Sequence, residues 1–236
     1  MLSVIRRKIQ QLIFKIAGRA GLLKNRIKCK HVWYGNTYGG FFVCPELLNK
    51  NSIVYSFGIG EDISFDLSII NNHDCKVFGF DPTPKSIDWV NKQTLPSKFT
   101  FFEYGINSKS GLVDFYLPRN PSHVSGSYII QSNVNLIEKI VVKMKSLNDI
   151  ISELGHDHID LLKLDIEGAE YDVIKNILTS NISIGQILIE FHQGLVMKGK
   201  QKTLQAVKLL RNSGYEIFAI SDSFEEFSFV KKEFVK

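Results

Sequence analysis

The sequence has few cysteines and no long apolar run, and both absences narrow the classes of protein to consider. Its cysteines are odd in number and form no close C-x-x-C pair, which argues against a disulfide framework and a zinc site; they are Cys29, Cys44 and Cys75. Charged residues interrupt each apolar stretch before it reaches the roughly 20 residues that span a bilayer. No cleavable signal pattern opens the chain. We therefore expect a cytoplasmic protein with free thiols.

Acidic residues are missing from the first 30 positions, which hold nine cations. The rest of the chain carries 20 cations and 24 acids, so the net charge of +5 arises entirely in this N-terminal arm. Apolar residues recur in the arm at intervals of three and four up to Ala20, which predicts a basic amphipathic helix ending near Gly21. The domains expected are therefore the arm, residues 1–30, and one globular body, residues 31–236.

Three interpretations of the arm remain open. The helix docks on its own domain or a partner subunit, or it attaches peripherally to an anionic membrane surface, since it combines apolar area with positive charge. Binding to nucleic acid is the least favoured, because the basic residues are confined to one segment and the body is acidic.

From Asn51 onward, short apolar runs alternate with helix-length polar segments, which is typical of an α/β fold with a buried parallel sheet. The predicted strands are Ile53–Phe57, Lys76–Phe80, Phe99–Tyr104, Leu161–Asp165, Gln186–Phe191, Tyr215–Ile220 and Phe227–Val230. The predicted helices are Ile63–Asn71, Lys85–Gln93, Ser146–Leu154, Ala169–Thr179 and Lys202–Asn212. The link between the last two strands is too short for a parallel crossover, so they must form an antiparallel hairpin. This predicts a Rossmann-like, mostly parallel seven-stranded sheet.

A glycine turn and an acidic residue indicate a nucleotide site. Gly58 and Gly60 follow the first strand, where open α/β sheets bind ligands. Asp81 ends the second strand 23 residues after Gly58, the spacing at which a carboxylate holds ribose hydroxyls. A purely structural turn and a helix cap at Asp81 are the alternatives.

The same turn discriminates between nucleotide cofactors. A dinucleotide site needs a third small residue where Ile63 stands, and Glu61 and Asp62 would repel a pyrophosphate. S-adenosylmethionine has no phosphate and carries an ammonium and a sulfonium, which carboxylates attract. The charge pattern therefore favours S-adenosylmethionine over NAD.

The most distinctive run, Leu162-Lys163-Leu164-Asp165-Ile166-Glu167-Gly168-Ala169-Glu170, resembles the Leu-Lys-x-Asp-x-Glu-Gly-x-Glu signature of FkbM-type methyltransferases. The resemblance extends over about residues 50–195, through the glycine turn and Asp81 to Glu190-Phe191-His192. The glycine turn departs from the commoner Asp-x-Gly-Ala-Asn-x-Gly form of the family. The resemblance implies a class I methyltransferase fold, S-adenosylmethionine as donor, and transfer to a hydroxyl of a sugar or related small molecule.

The resemblance also implies roles for individual residues. Gly58, Gly60 and Asp62 become donor-loop residues, Asp81 the ribose ligand and Asp165 a residue near the methionine end of the donor. Glu167 faces the acceptor or supports its loop. The predicted donor-binding set is completed by Ser56, Thr83 and Gly105.

Methyl transfer to oxygen needs in-line positioning and a base for the acceptor proton. His192 is the predicted base, because it follows a buried strand at the same sheet edge as Asp165. His123 is the second choice, and a loop role for His192 is the alternative. A divalent ion on Asp165, Glu167 and His192 is conceivable, but no compact ligand spacing supports it, so no metal is predicted.

The sequence thus predicts an S-adenosylmethionine-dependent O-methyltransferase, with a glycan or small-molecule acceptor contacted by loops 118–135 and 193–201. Two rivals remain. One is a methyltransferase acting on protein or nucleic acid, although Asp165-Ile166-Glu167-Gly168 replaces the Asn/Asp-Pro-Pro-Tyr motif used on base nitrogens. The other is a non-catalytic nucleoside-binding module recruited by its basic arm.

Overall fold

A computed structural model of the 236-residue chain describes residues 23–120, 126–129, 131, 133–180 and 182–235. The strands are β1 (Val32–Tyr34), β2 (Phe41–Val43), β3 (Ile53–Phe57), β4 (Lys76–Phe80), β5 (Phe99–Phe102), β6 (Gly105–Ile106), β7 (Gly111–Pro118), β8 (Val134–Lys145), β9 (His158–Leu164), β10 (Ser183–Glu190), β11 (Tyr215–Ile220) and β12 (Glu226–Lys231). The α-helices are α1 (Ser64–His73), α2 (Pro84–Val90), α3 (Leu147–Leu154), α4 (Glu170–Thr179) and α5 (Gly199–Asn212). Short 3-10 helices cover Pro45–Leu47 and Lys232–Phe234.

The main sheet has seven strands in the order β11-β12-β10-β9-β3-β4-β5. The five strands from β10 to β5 run parallel, whereas β12 pairs antiparallel with both β10 and β11. This confirms the predicted Rossmann-like class I methyltransferase fold, including its C-terminal hairpin. All seven predicted strands lie in this sheet, with bounds shifted by at most three residues.

The sheet is buried on both faces because neighbouring residues of each central strand enter different cores. On one face, Tyr55 and Leu162 pack with apolar residues of α3, α4 and α5. On the other, Val54 and Leu161 pack with α1, α2 and the β1–β2 hairpin. This two-sided burial explains why the strands read as continuous apolar runs rather than alternating ones.

A second sheet was missed by the sequence reasoning. Strands β6, β8 and β7 form a three-stranded sheet between β5 and α3. Only three of the 12 residues of β8 are buried, so it lacks the apolar run by which the central strands were recognised. The predicted acceptor loop 118–135 is accordingly shorter at both ends, because Pro118 ends β7 and β8 begins at Val134. The second predicted loop, residues 193–201, is also shorter, because α5 begins at Gly199 rather than at the predicted Lys202.

The described end of the arm packs on the body. Leu23 is buried in the core beside α5, and the Arg26 N–H donates to the Ile217 carbonyl of β11. The Asn25 side chain donates to the Phe218 carbonyl, 3.0 Å away. The predicted amphipathic helix falls mainly in residues 1–22, outside the described residues. None of the described helices is long and apolar enough to cross a bilayer.

Candidate active site

The carboxyl ends of β3, β4, β9 and β10 border a cleft of about 380 Å³, a size suited to a small-molecule ligand. Most of the predicted site residues line this cleft: Gly58, Gly60, Asp62, Asp81, Thr83, Gly105, Asp165, Glu167 and His192. The fold therefore brings residues separated by up to 134 positions to one sheet edge. Their individual contacts with a donor or acceptor stay predictions. His123 lies outside the described residues.

Ser56 is the exception. It is fully buried within β3 and is not among the residues that line the cleft. Side chains alternate along a strand, so Ser56 shares the face of Val54, which packs toward α1. The prediction that Ser56 contacts the donor therefore has no geometric support.

Gly58 brings the ends of β3 and β9 into close approach. Its φ of 82° lies in the left-handed region, and a Cβ atom there would stand 1.7 Å from the Asp165 carbonyl oxygen. The Gly58 carbonyl in turn accepts a hydrogen bond of 2.8 Å from Lys163 Nζ, a buried lysine that also lines the cleft. Only glycine fits this position without moving the backbone.

Asp81 holds the glycine turn in place. Its Oδ2 accepts from the N–H groups of Ile59 and Gly60 at 3.0 and 2.9 Å. Its Oδ1 accepts from the Thr83 N–H and hydroxyl at 2.9 and 2.6 Å. The carboxylate lines the cleft, but four donors already surround it, so a ribose would have to share or replace them. Asp81 therefore has the turn-forming role that the sequence left open as the alternative, and the predicted ribose contact stays a prediction beside it.

Asp62 connects α1 to the loop between β1 and β2. Its Oδ1 accepts from the Ser64 N–H, and its Oδ2 accepts from the Ser64 hydroxyl and from Asn36 Nδ2 at 2.7 Å. These bonds fix the loop, whose Tyr38 lines the mouth of the cleft and is 92% exposed. A large aromatic ring left in solvent at a cleft mouth is available to a ligand.

A carboxylate cluster surrounds His192. Its Nε2 lies 3.5 Å from Glu167 Oε2 and 3.7 Å from both Asp165 Oδ1 and Glu190 Oε1. On the other side of the ring, Nδ1 lies 2.9 Å from Oε1 of Glu170, which is fully buried. The same Oε1 accepts from the N–H groups of Ile166 and Gly168. Glu170 thus sets the ring's orientation and points Nε2 toward the cleft.

The cluster shifts the protonation of its members. Burial opposes the positive charge on His192, but Glu170, Glu167 and Asp165 outweigh it and raise the pKa of the imidazole well above its usual value. Burial, reinforced by the charge of Asp165, raises the pKa of the Glu190 carboxyl. Such shifts in a cleft are typical of functional sites.

The loop that carries Glu167 is strained. Glu167 has a φ of 53°, which is uncommon outside glycine. Its carbonyl accepts from the Ser127 hydroxyl at 2.9 Å and from Gln131 Nε2 at 3.0 Å, which ties the loop to the segment after β7. Strain retained by such contacts is common at active sites.

Sequence reasoning assigned no role to Glu190, Glu170, Lys163 or Tyr38. Glu190 could have been found, since it ends a buried strand two residues before His192, at the edge where ligands bind. Glu170 ends the family signature, but the signature does not indicate what the side chain contacts, and an acid in the first turn of a helix is ordinary. Among the described residues, Asp165, Glu190 and His192 also form the one group that could hold a metal ion.

Comparison with known proteins agrees with this architecture. Residues 45–217, more than half of the chain, match the family described as methyltransferase FkbM domain. The protein belongs to the FkbM methyltransferase family. The resemblance inferred from the Asp165 signature is thereby confirmed.

Three curated relatives are similar in sequence to parts of this FkbM chain. The human probable methyltransferase-like protein 24 is 27% identical over 205 residues, covering 82% of this chain and 49% of the relative. Hexuronic acid methyltransferase AglP of Haloferax volcanii is 25% identical over 158 residues, covering 63% of this chain and 64% of AglP. The 2-O-methyltransferase NoeI of Sinorhizobium fredii is 32% identical over 114 residues, covering 42% of this chain and 46% of NoeI. The chain thus spans about half the length of the first of these relatives.

Proposed function

We propose that this FkbM protein is an S-adenosylmethionine-dependent O-methyltransferase whose acceptor is a hydroxyl of a sugar or glycan. The observation that carries the proposal is the accumulation of carboxylates at the rim of the cleft, where Asp62, Asp81, Asp165, Glu167 and Glu190 face one cavity. Such a lining suits a cationic donor and disfavours a pyrophosphate.

The residues present fit the donor. A Cβ on Gly60 would meet no heavy atom within 4 Å, so the backbone of the turn is open to a ligand beside it. Lys163, at 4% exposure, is the buried cation available to a carboxylate group, and the acids around it suit an ammonium. When bound, S-adenosylmethionine supplies an electrophilic methyl group on a sulfonium, which leaves as a neutral thioether.

The chain's own groups then have two tasks. Asp81 holds the turn after β3, and Lys163 ties that turn to β9, so that donor and acceptor meet at one edge of the sheet. The cluster around His192 receives the hydroxyl proton, with His192 as the predicted base and the Glu167 carboxylate, 3.5 Å from Nε2, as a second group that can accept it. Two relatives support a sugar acceptor, since their names specify a hexuronic acid methyltransferase and a 2-O-methyltransferase.

Calorimetry with S-adenosylmethionine tests the donor assignment. We expect the wild type to bind, Asp165→Asn to bind at least tenfold more weakly, and Asp157→Asn to bind normally. Asp157 is an exposed carboxylate before β9, at the opposite edge of the sheet. Absence of binding to the wild type would exclude the methyl-donor site.

Labelled donor then tests the acceptor class, with hexuronic acids, deoxyhexoses, protein and RNA offered in parallel. We expect label to enter a sugar hydroxyl, and the Asp157→Asn protein to match the wild type. Label found only in protein or RNA would overturn the sugar proposal, and donor binding without transfer to any of the four classes would favour a nucleoside-binding module.

A further inference from the structure

The position of His192 Nε2 within its cluster is unusual for an ion pair. Among the described residues Nε2 has no hydrogen bond, although three carboxylate oxygens lie 3.5–3.7 Å away. An imidazolium N–H beside carboxylates normally selects one of them at about 2.7–2.9 Å. Two of these three oxygens, from Asp165 and Glu190, lie at the same 3.7 Å from Nε2 and form with it the group that could share an ion.

We propose that Asp165, Glu190 and His192 bind a divalent cation of the Mg²⁺ and Mn²⁺ class. One ligand atom from each residue lies within 4.8 Å of the other two. Two ligands at about 2.1 Å from one ion are separated by roughly 3.0 Å when adjacent and 4.2 Å when opposite. The measured 3.7 Å separations fall in this range, so a small closure of the cluster completes the site.

Glu170 supplies the supporting contact that such a site needs. A histidine ligand usually donates its second ring N–H to a carboxylate, which fixes the tautomer and directs the other nitrogen at the ion. The fully buried Glu170 occupies this position, 2.9 Å from Nδ1, and two backbone N–H groups hold it there. His192 is itself only 12% exposed and lines the cleft, so its Nε2 faces the cleft rather than bulk water.

The donor set and its charge select the class of ion. Carboxylate oxygens suit Mg²⁺ and Mn²⁺, and no cysteine is among the cleft-lining residues to favour a softer metal. Within the cluster, Asp165, Glu167, Glu170 and Glu190 face His192, and Lys163 lies 3.7 Å from Asp165. Four acids against these two bases leave an excess of negative charge that a divalent ion neutralises.

A bound ion would also determine which group accepts the proton of the acceptor hydroxyl. This step rests on the proposed function. A bound ion would polarise the acceptor hydroxyl and lower its pKa. Because a ligated imidazole would have no free lone pair, the proton would pass to Glu167. The hydroxyl oxygen forms its bond to the methyl carbon, the carbon–sulfur bond breaks, and the electron pair stays on the departing thioether.

Binding of Mn²⁺ to chelator-treated protein tests the site without donor or acceptor, by loss of the free-ion electron paramagnetic resonance signal. We expect one Mn²⁺ per wild-type chain, at least tenfold weaker binding by Glu190→Gln and by Asp165→Asn, and wild-type binding by Asp157→Asn. Circular dichroism verifies that each variant is folded, and Glu170→Gln provides a further variant outside the ligand set, expected to weaken binding about 10-fold or more.

The outcomes separate this inference from the proposed function. Mn²⁺ binding without affinity for S-adenosylmethionine would leave the cation site standing and overturn the methyl-donor proposal. Affinity for S-adenosylmethionine without Mn²⁺ binding would overturn the cation site and leave the methyl-donor proposal standing. Equal Mn²⁺ affinity in the wild type and in the folded Glu190→Gln and Asp165→Asn proteins would place the ion elsewhere and overturn the site.

Discussion

The Oε1 atom of Glu170 lies 2.9 Å from Nδ1 of His192, and the glutamate has no exposed surface. A buried acid that holds a cleft histidine from behind controls both the direction and the tautomer of the ring. The contact therefore connects the first residue of α4, in the core, to a histidine that lines the cleft.

Replacing Glu170 by Gln should separate the orientation of His192 from the binding of S-adenosylmethionine. The amide keeps the size of the side chain but loses the charge that holds the Nδ1 proton, so we expect kcat to fall about 10- to 100-fold. Steady-state kinetics should show a KM for S-adenosylmethionine close to that of the wild type, because Glu170 does not line the cleft. An unchanged kcat would show that the ring needs no support from Glu170.

The two turn glycines form a matched pair for stability measurements. Gly58→Ala places a methyl group 1.7 Å from the Asp165 carbonyl oxygen, whereas Gly60→Ala meets no atom within 4 Å. Both have positive φ, so both incur the left-handed strain of about 1–2 kcal/mol. Urea denaturation should show a free energy of unfolding lower for Gly58→Ala than for Gly60→Ala by at least about 2 kcal/mol. Equal losses of unfolding free energy in the two variants would mean that the backbone at Gly58 moves without an energetic penalty.

Asp81→Ala tests the two tasks of Asp81. Removal of an acceptor of four hydrogen bonds should lower the free energy of unfolding by about 2–4 kcal/mol even without donor, because the N–H groups of the turn lose their partner. Calorimetry should also show at least tenfold weaker binding of S-adenosylmethionine. A loss of affinity with unchanged stability would assign Asp81 to the ribose alone, and unchanged affinity would remove it from the donor site.

The buried Asp66 of α1 makes stability depend on pH. Burial raises the pKa of its carboxyl to about 6, partly offset by Lys163. Because the folded-state pKa lies above the usual value, the destabilisation is absent below pH 4 and complete above pH 6. Asp66→Asn should therefore gain stability relative to the wild type between pH 4 and pH 8, by up to about 3 kcal/mol.

Urea denaturation at several pH values measures this difference. Asp88→Asn, an exposed acid on α2, is the matched control and should keep the wild-type pH profile. A constant difference between Asp66→Asn and the wild type across the pH range would contradict the raised pKa.

The central sheet was predictable from sequence because its strands are covered on both faces. Burial of both Val54 and Tyr55 leaves an unbroken apolar run, and a run of that length between polar helices has few other structural solutions. The three-stranded sheet lacks this signal, since residues such as Leu136 and Ile137 of β8 are more than half exposed. The pairing of β8 with β7 depends on contacts that no local sequence pattern encodes.

The candidate site was predictable only in part. Asp165 and His192 were found because each follows a buried strand at the binding edge. The structural role of Asp81 was predicted only as an alternative, because its four donors come from backbone and a threonine whose positions depend on the folded turn. Glu170 was missed for a similar reason: its partner lies 22 residues away along the chain.

The anchoring of residues 23–26 beside β11 determines where the chain can be shortened. Leu23 fills the core and Arg26 extends the hydrogen bonding of an edge strand, so this stretch belongs structurally to the catalytic body. A truncation after residue 30, the boundary suggested by charge alone, would remove part of that body. Vesicle sedimentation that tests the predicted basic helix should therefore compare the full chain with a protein that begins at Leu23, whose affinity for S-adenosylmethionine shows whether the remainder is still intact.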